Sequence, residues 1–261
     1  MKSYEILYNS YNQLRQHKPI ILNLTNSVTQ DFMANTLLAL GASPIMSNDI
    51  NELEELIAIS SSLNINIGTL DANFSQLALN AVKYAEAKKI PIILDPVGAG
   101  ASTSRTKLAT LIAPKATIIR GNASEIMAIA GSLSTTAGVD SLHTSENAQN
   151  YAQNLANKFN NTVVVTGKTD LIIDSHTLST NNFGAEIMTK VTGMGCCLSA
   201  VVAAFAAINS NYHQAAELGV KLYTLCAQHV AQQTKTPAQF KVEFIDNLYA
   251  PNWNFIQNKL I

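Results

Sequence analysis

Two spacings of apolar residues alternate along this chain. Short apolar runs bounded by turn residues predict buried strands, and apolar positions recurring every three or four residues predict amphipathic helices. Tyr4, Leu7, Tyr8, Tyr11 and Leu14 follow the helical spacing, and Pro19 then opens the strand Ile20 to Leu24. Thr25-Asn26-Ser27 breaks the pattern before a helix from Val28 to Leu40, with Gly41 as its stop. Ser43 to Ser47 reads as a short strand, followed by a helix capped by Asn48 or Asp49 and running to about Ser60. Leu63 to Ile67 is the next strand, and Asn73 to Lys89 the next helix.

The alternation continues through the strand Ile90 to Leu94, ended by Asp95-Pro96, and a helix over Arg105 to Ile112. Ala116 to Ile119 is a strand ended by Arg120-Gly121-Asn122, and Ala123 to Ala130 a short helix. Gly131 to Thr144 is rich in Ser, Thr and Gly and reads as a surface loop. A helix over Asn147 to Phe159 and a strand over Thr162 to Val165 follow. Leu171-Ile172-Ile173 and the segment Asn182 to Thr189 read as a hairpin or edge-strand excursion. Apolar helices over Cys196 to Ile208 and Gln214 to Gln233 precede an amphipathic tail from Phe240, interrupted by Pro251.

Strands alternating with helices from end to end predict one mainly parallel sheet covered on both faces. In such sheets ligands bind at the carboxyl ends of the strands. Asn26, Met46, Gly68, Asp95, Arg120 and Thr166 all fall at or just past a predicted strand end.

The stretch Val191-Thr192-Gly193-Met194-Gly195-Cys196-Cys197 feeds the apolar helix. Two closely spaced glycines allow a tight turn with the backbone N–H groups near a ligand. Together with the helix N-terminus they form an anion cradle. Cys196 would sit in the first turn, where a thiol pKa is lowered and a thiolate becomes available as a base. Equally, Cys196 can be a small buried hydrophobe. Two tighter phosphate motifs are absent. The third glycine of a dinucleotide fingerprint is replaced by Leu198, and the upstream glycine of a P-loop ending at Gly167-Lys168-Thr169 would fall at Thr162.

The other chemistry-bearing residues each carry two readings. Asp95 beside Pro96 and the loop glycines suits Mg²⁺, or it caps its own loop. Asn122-Ala-Ser-Glu125 has the pattern of a helix cap with an acidic residue at its third position, which leaves Glu125 able to hold a metal-bound water. Arg120 ends an apolar strand and needs an anion, either a nucleotide phosphate or the carboxylate of Asp95 or Glu125. Thr166-Gly167 offers a hydroxyl and backbone to a nucleotide, or turns the chain. The five His lack metal-ligand spacing.

Composition narrows the classes. The 261 residues are 47% hydrophobic, enough for a large core, and carry a net charge of -1, which gives no footprint for nucleic acid or an anionic membrane. The run Cys196 to Ile208 is shorter than the ~20 residues of a membrane helix. Three Cys, two of them adjacent, and an N-terminus without a signal-peptide core point to the cytoplasm.

Several stretches together resemble the hydroxyethylthiazole kinase family, of the ribokinase-like superfamily. They are Asn23-Leu-Thr-Asn26-Ser-Val, Ala34 to Met46, Asn66-Ile-Gly68-Thr-Leu, Asp95-Pro-Val-Gly-Ala-Gly-Ala, Ile119-Arg120-Gly-Asn122-Ala-Ser-Glu125-Ile, Val165-Thr166-Gly and Val191-Thr-Gly193-Met-Gly195-Cys196. They occur in the family's order over most of residues 20–205. The resemblance implies one ribokinase-like α/β/α domain over residues 1–261. It implies transfer of the ATP γ-phosphate to the hydroxyl of 4-methyl-5-(2-hydroxyethyl)thiazole in thiamine salvage. Asn26, Met46, Gly68 and Gly193 would meet the thiazole, and Gly193 to Cys196 would form the anion hole. Cys196 would stand where most ribokinase-like kinases carry an Asp base. Arg120, Asn122, Thr166, Thr192 and Gly195 would contact ATP or its phosphates, with Asp95 and Glu125 near Mg²⁺. A homotrimer with sites at subunit interfaces is implied, with no nucleic acid or membrane partner.

The chain departs from the family at Met194, where a small residue is usual, at Cys197, and at Thr236-Pro237-Ala238-Gln239-Phe240, where a Gly-Pro-Gly turn is common. A lyase of the same fold and a non-catalytic binding protein are the competing classes. The nucleotide-dependent dehydratases lack the Thr25-Asn26 to Met46 signature.

Overall fold

A computed structural model describes residues 3–132 and 145–260. In chain order the elements are α1 (Ser3–His17), β1 (Ile20–Leu24), α2 (Gln30–Leu40), β2 (Ser43–Met46), α3 (Leu53–Ile59), β3 (Ser62–Asn66) and α4 (Ala72–Lys88). Then come β4 (Ile92–Asp95), α5 (Thr103–Ile112), β5 (Ile118–Asn122), α6 (Ala123–Ser132), α7 (Ser145–Phe159) and β6 (Thr162–Thr166). The hairpin β7 (Asp170–Ile173) and β8 (Leu178–Asn181) precedes α8 (Met194–Ala206), α9 (Tyr212–Gln233), α10 (Pro237–Tyr249) and α11 (Trp253–Leu260).

The strands form one eight-stranded sheet in the order β2-β1-β3-β4-β5-β6-β7-β8. The first six are mutually parallel, so their carboxyl ends share one edge; β7 and β8 add on antiparallel. Strand residues alternate between two apolar cores. Ile21, Ile93, Ile118, Val164 and Ile172 join a core with α1, α2, α8, α9, α10 and α11. Leu22, Leu94, Ile119, Val163 and Ile173 join a second core with α3 to α7. This is the three-layer α/β/α arrangement that the alternating pattern predicts.

The order reverses at β1, which is followed in sequence by β2 on one side and in space by β3 on the other. Asn26 and Gly68 lie just beyond the carboxyl ends of β1 and β3, at the crevice this reversal opens. Helix α8 packs over β1, β3 and β4, which brings its N-terminus to the same edge.

Several local expectations are corrected. The partner of β7 is β8, not Asn182 to Thr189; that segment instead runs into a 3-10 turn over Glu186–Lys190. Leu178-Ser-Thr-Asn181 has a weak apolar pattern because its edge position leaves it largely exposed. Helix α3 begins at Leu53, and Asp49 caps no helix: its carboxylate accepts from the Asn51 backbone N–H at 2.9 Å, closing a turn. Arg120 lies inside β5 rather than past its end, paired with Val164 of β6. Gly131 and Ser132 complete α6; the remainder of the expected loop lies outside the described residues.

Candidate active site

The sheet face beneath α8 would be wholly apolar in an ordinary buried parallel strand set. Near the carboxyl edge it is instead polar and connected. Asn66 and Asp95 are register partners on β3 and β4, both fully buried, and Asn66 Nδ2 donates to Asp95 Oδ2 at 2.7 Å. Ser199 Oγ, from the second turn of α8, donates to the same oxygen at 2.9 Å. On its other side Asn66 Oδ1 accepts from Asn26 Nδ2 at 2.9 Å and from the Gly68 N–H at 3.0 Å. Asn26 Nδ2 also reaches Cys196 Sγ at 3.4 Å. One continuous chain of hydrogen bonds therefore runs from the Cys196 thiol to the Asp95 carboxylate.

With Oδ2 doubly occupied, Asp95 Oδ1 is buried and, among the described residues, without a hydrogen-bond partner, 3.7 Å from Arg120 Nη1. Burial, with help from the nearby Glu125 charge, pushes the Asp95 carboxyl up to about 6, against the pull of Arg120, Ser199 and Asn66. Arg120 Nη2 donates to Thr166 Oγ1 at 2.7 Å, while its Nε has no hydrogen-bond partner among the described residues. An anchored but incompletely paired guanidinium beside a desolvated carboxylate is a site built for an additional charged group.

The two glycines of the turn do different work. Gly193 has φ +88°, a left-handed conformation, and a Cβ there would press against Thr29 Cγ2 at 2.8 Å. Gly195 is already inside α8, so the expected second tight turn is absent. A Cβ at Gly195 would lie 2.8 Å from Arg120 Nη1, so the glycine makes room for the guanidinium. Among the described residues, no side chain caps the N-terminus of α8. Thr192 is exposed in the turn before them.

Cys196 is half-buried beside Asn26, and Cys197 is fully buried in the core. The expectation of a lowered thiol pKa at Cys196 is overturned. Burial raises it, and the Asp95 charge raises it further, outweighing the donors Asn66 and Asn26 and the charge of Arg120. The helix terminus is there, but desolvation at this depth wins.

Glu125 completes a reciprocal cap. Its Oε2 accepts from the Asn122 N–H at 2.8 Å, and Asn122 Oδ1 accepts from the Glu125 N–H at 2.9 Å. Glu125 Oε1 accepts from the Gly98 N–H at 2.9 Å, tying the glycine loop after β4 to α6. The loop is further held by Arg105, which reaches the carbonyls of Gly68 and Val97. Asn122 itself is exposed.

A cleft of about 610 Å³ opens beside Arg120 and Thr166, bounded by Asp170, Phe183, Met194, Gly195 and Tyr223. Met194 is buried at its back, and its carbonyl accepts from the Tyr223 hydroxyl at 2.7 Å. Met46, half-buried at the end of β2, and Gly68 stand away from this cleft, on the Asn26 side.

Residue patterns alone passed over Asn66, Ser199 and Tyr223. Asn66 carried a signal, because Asn64 and Asn66 interrupt one face of the strand Leu63-Asn-Ile-Asn-Ile67. Ser199 carried another, as the single polar residue of the apolar run beginning at Cys196.

Residues 11–252 match the model of the hydroxyethylthiazole kinase family. A hydroxyethylthiazole kinase of Chlamydia felis (strain Fe/C-56) is 42% identical over 252 residues, 96% of each chain. The structure of a hydroxyethylthiazole kinase protein from Pyrococcus horikoshii OT3 superposes with a TM-score of 0.89 at 33% identity, covering 97% of this chain and 96% of that one. A ribokinase-like superfamily protein from Enterococcus faecalis V583 shares the fold, with a TM-score of 0.64 at 15% identity over 90% of this chain and 88% of its own.

Proposed function

The chain belongs to the hydroxyethylthiazole kinase family and is a thiazole kinase of ribokinase-like fold, and from this premise we propose how its residues divide the work. ATP is the phosphoryl donor and 4-methyl-5-(2-hydroxyethyl)thiazole the acceptor. Arg120, Thr166, Asn122 and Thr192 hold the nucleotide on the cleft side. Asn26, Met46, Gly68 and Gly193 hold the thiazole on the other. The N–H groups from Gly193 to Cys196 receive the transferring phosphoryl group between them. Residues 1–261 work as one kinase domain, supported by the single sheet that both apolar cores share.

The observation that carries this reading is the pairing of Asp95 Oδ1, buried and unpartnered, with the incompletely satisfied Arg120 at the open end of α8. Phosphoryl transfer asks mainly for positioned charge of this kind. The donor set also suits Mg²⁺. Among the described residues no three His, Cys, Asp or Glu side chains are grouped to hold a metal alone. Mg²⁺ typically binds through one or two carboxylates together with substrate phosphates. Asp95 and Glu125 would supply those carboxylates, Asp95 through its free oxygen, and the ion would neutralise phosphate charge.

Cys196 is the group nearest the thiazole side able to take the alcohol proton. With its pKa raised, only the minor thiolate form is able to accept that proton at neutral pH, so positioning contributes more than basicity. The protein acts as a homotrimer whose subunit contacts complete the thiazole side, supported by exposed Val28 and Ile50 close to Asn26 and Met46 in the chain. Its three unpaired cysteines fit a reducing, cytoplasmic setting.

The test is ADP release with hydroxyethylthiazole, hydroxymethylpyrimidine and pyridoxal in parallel. Mg²⁺-dependent turnover with the thiazole is expected to exceed the others. Turnover on pyridoxal or the pyrimidine alone overturns the acceptor assignment, and binding without ADP release overturns catalysis.

A further inference from the structure

We propose that Asn66 is a positioning residue that couples the thiazole side of the site to the phosphoryl side. This rests on the reading that Asn26 and Gly68 meet the acceptor while Asp95 serves the phosphoryl group. The side-chain amide has one orientation available. Its oxygen faces two donors, the Asn26 amide and the Gly68 N–H, at 2.9 and 3.0 Å. Its nitrogen must then face Asp95 Oδ2, a pure acceptor, at 2.7 Å. Reversing the amide would set nitrogen against two donors and oxygen against a carboxylate, losing three hydrogen bonds together.

The consequence is geometric. Asn66 and Ser199 donate to the same oxygen of Asp95, and this aims the other oxygen, Oδ1, at Arg120. The amide oxygen of Asn66 sets the direction of the Asn26 side chain, whose nitrogen is 3.4 Å from Cys196 Sγ. A single buried amide on a rigid central strand thus fixes the Asp95 carboxylate and the Asn26–Gly68 wall relative to each other. Near-attack geometry depends on this registration, because a shift of about 1 Å can cost about 10²-fold in rate. Asn66 touches neither substrate in this scheme; it acts through Asp95, Asn26, Gly68 and the neighbouring Cys196 thiol.

The two ends of the amide can be separated by substitution. Asn66→Asp keeps an oxygen toward Asn26 and Gly68 but turns a second oxygen on Asp95 Oδ2. It should lower kcat by about 10²-fold while the KM for the thiazole alcohol stays within about threefold of the parent. Asn66→Ala removes both ends and should lower kcat and also raise the alcohol KM about tenfold. In an Asn26→Ala background, Asn66→Ala should raise that KM little further, because the partner is already gone. Ser199→Ala, a small change that keeps the fold, should lower kcat through loosened Asp95 and leave the alcohol KM alone.

A purely structural role gives a different result: lower melting temperatures, with kcat per folded molecule and both KM values at the parent level in every variant. That result, or identical kinetic splits for Asn66→Asp and Asn66→Ala, overturns the proposal while parent turnover upholds the kinase reading. A parent with no thiazole-dependent ADP release overturns both.

Discussion

The two halves of the site are built differently. On the Arg120 side the chain walls its own cleft: β6, the β7–β8 hairpin and α9 bring Thr166, Asp170 and Tyr223 around a space of about 610 Å³. On the Asn26 side the polar network is just as ordered, and two large apolar residues near Asn26 and Met46 in the chain are exposed, Val28 at 68% and Ile50 at 43%. The cleft beside Arg120 is walled within one chain, and under the proposed trimer a second copy would finish the Asn26 side. The difference follows from topology. The antiparallel hairpin extends the sheet beyond β6, whereas at the other edge β2 is the terminal strand.

The largest expected effect tests what both halves share. Asp95→Asn should reduce turnover by about 10³-fold, the scale of several kcal/mol of lost charge stabilisation at the transition state. Thermal stability should change little, since the side chain is isosteric and its ionised form is disfavoured by burial. Equal rates for mutant and parent at saturating Mg²⁺ would remove Asp95 from the site.

Next comes Cys196, at the seam between the halves. Cys196→Ala should slow phosphorylation by about 10²-fold without abolishing it, and Cys196→Asp should keep substantial activity. The raised thiol pKa gives this a sign. The thiolate fraction is small at neutral pH and grows with pH, so parent kcat should climb toward alkaline pH, whereas the Asp variant should be flat there. A flat parent profile, or a parent-like Cys196→Ala, would show that the thiol takes no proton.

The asymmetry itself is broken by charging the open side. If the proposed trimer forms, Val28→Asp combined with Ile50→Asp should convert it to monomer by light scattering and raise the alcohol KM about tenfold, as buried unpaired charge disfavours assembly. Affinity for a non-hydrolysable ATP analogue should persist. An intact trimer, or loss of nucleotide binding alone, would contradict the division.

A smaller effect sharpens the closed side. Thr166→Val deletes the hydroxyl that holds Arg120 and should raise the ATP KM by about tenfold at most, leaving the alcohol KM unchanged. The smallest effect is Cys197→Ala, which should cost about 1 kcal/mol of stability in the core and nothing in kcat. A slow Cys197→Ala would transfer the catalytic role to the neighbouring thiol.

By itself the sequence determined the elements and their layering, because apolar periodicity and turn chemistry are local properties. Ile20 to Leu24, Ala123 to Ala130 and the Asn122–Glu125 cap were legible for that reason. It also determined that Met46, Asp95 and Thr166 close their strands on one edge, whereas the structure places Arg120 inside β5. Tertiary structure decided what those residues do to one another. Gly195 reads as a turn glycine until Arg120 is seen packed where its Cβ would be. Helix position argues for an activated Cys196 thiol, whereas burial reverses the sign, because desolvation depends on everything packed around the group. Asn66 and Ser199 lie in apolar segments far apart in sequence and meet at Asp95 only once β3, β4 and α8 are stacked. Even β8, weak in pattern, becomes a strand because β7 offers it hydrogen bonds that outweigh its own propensity.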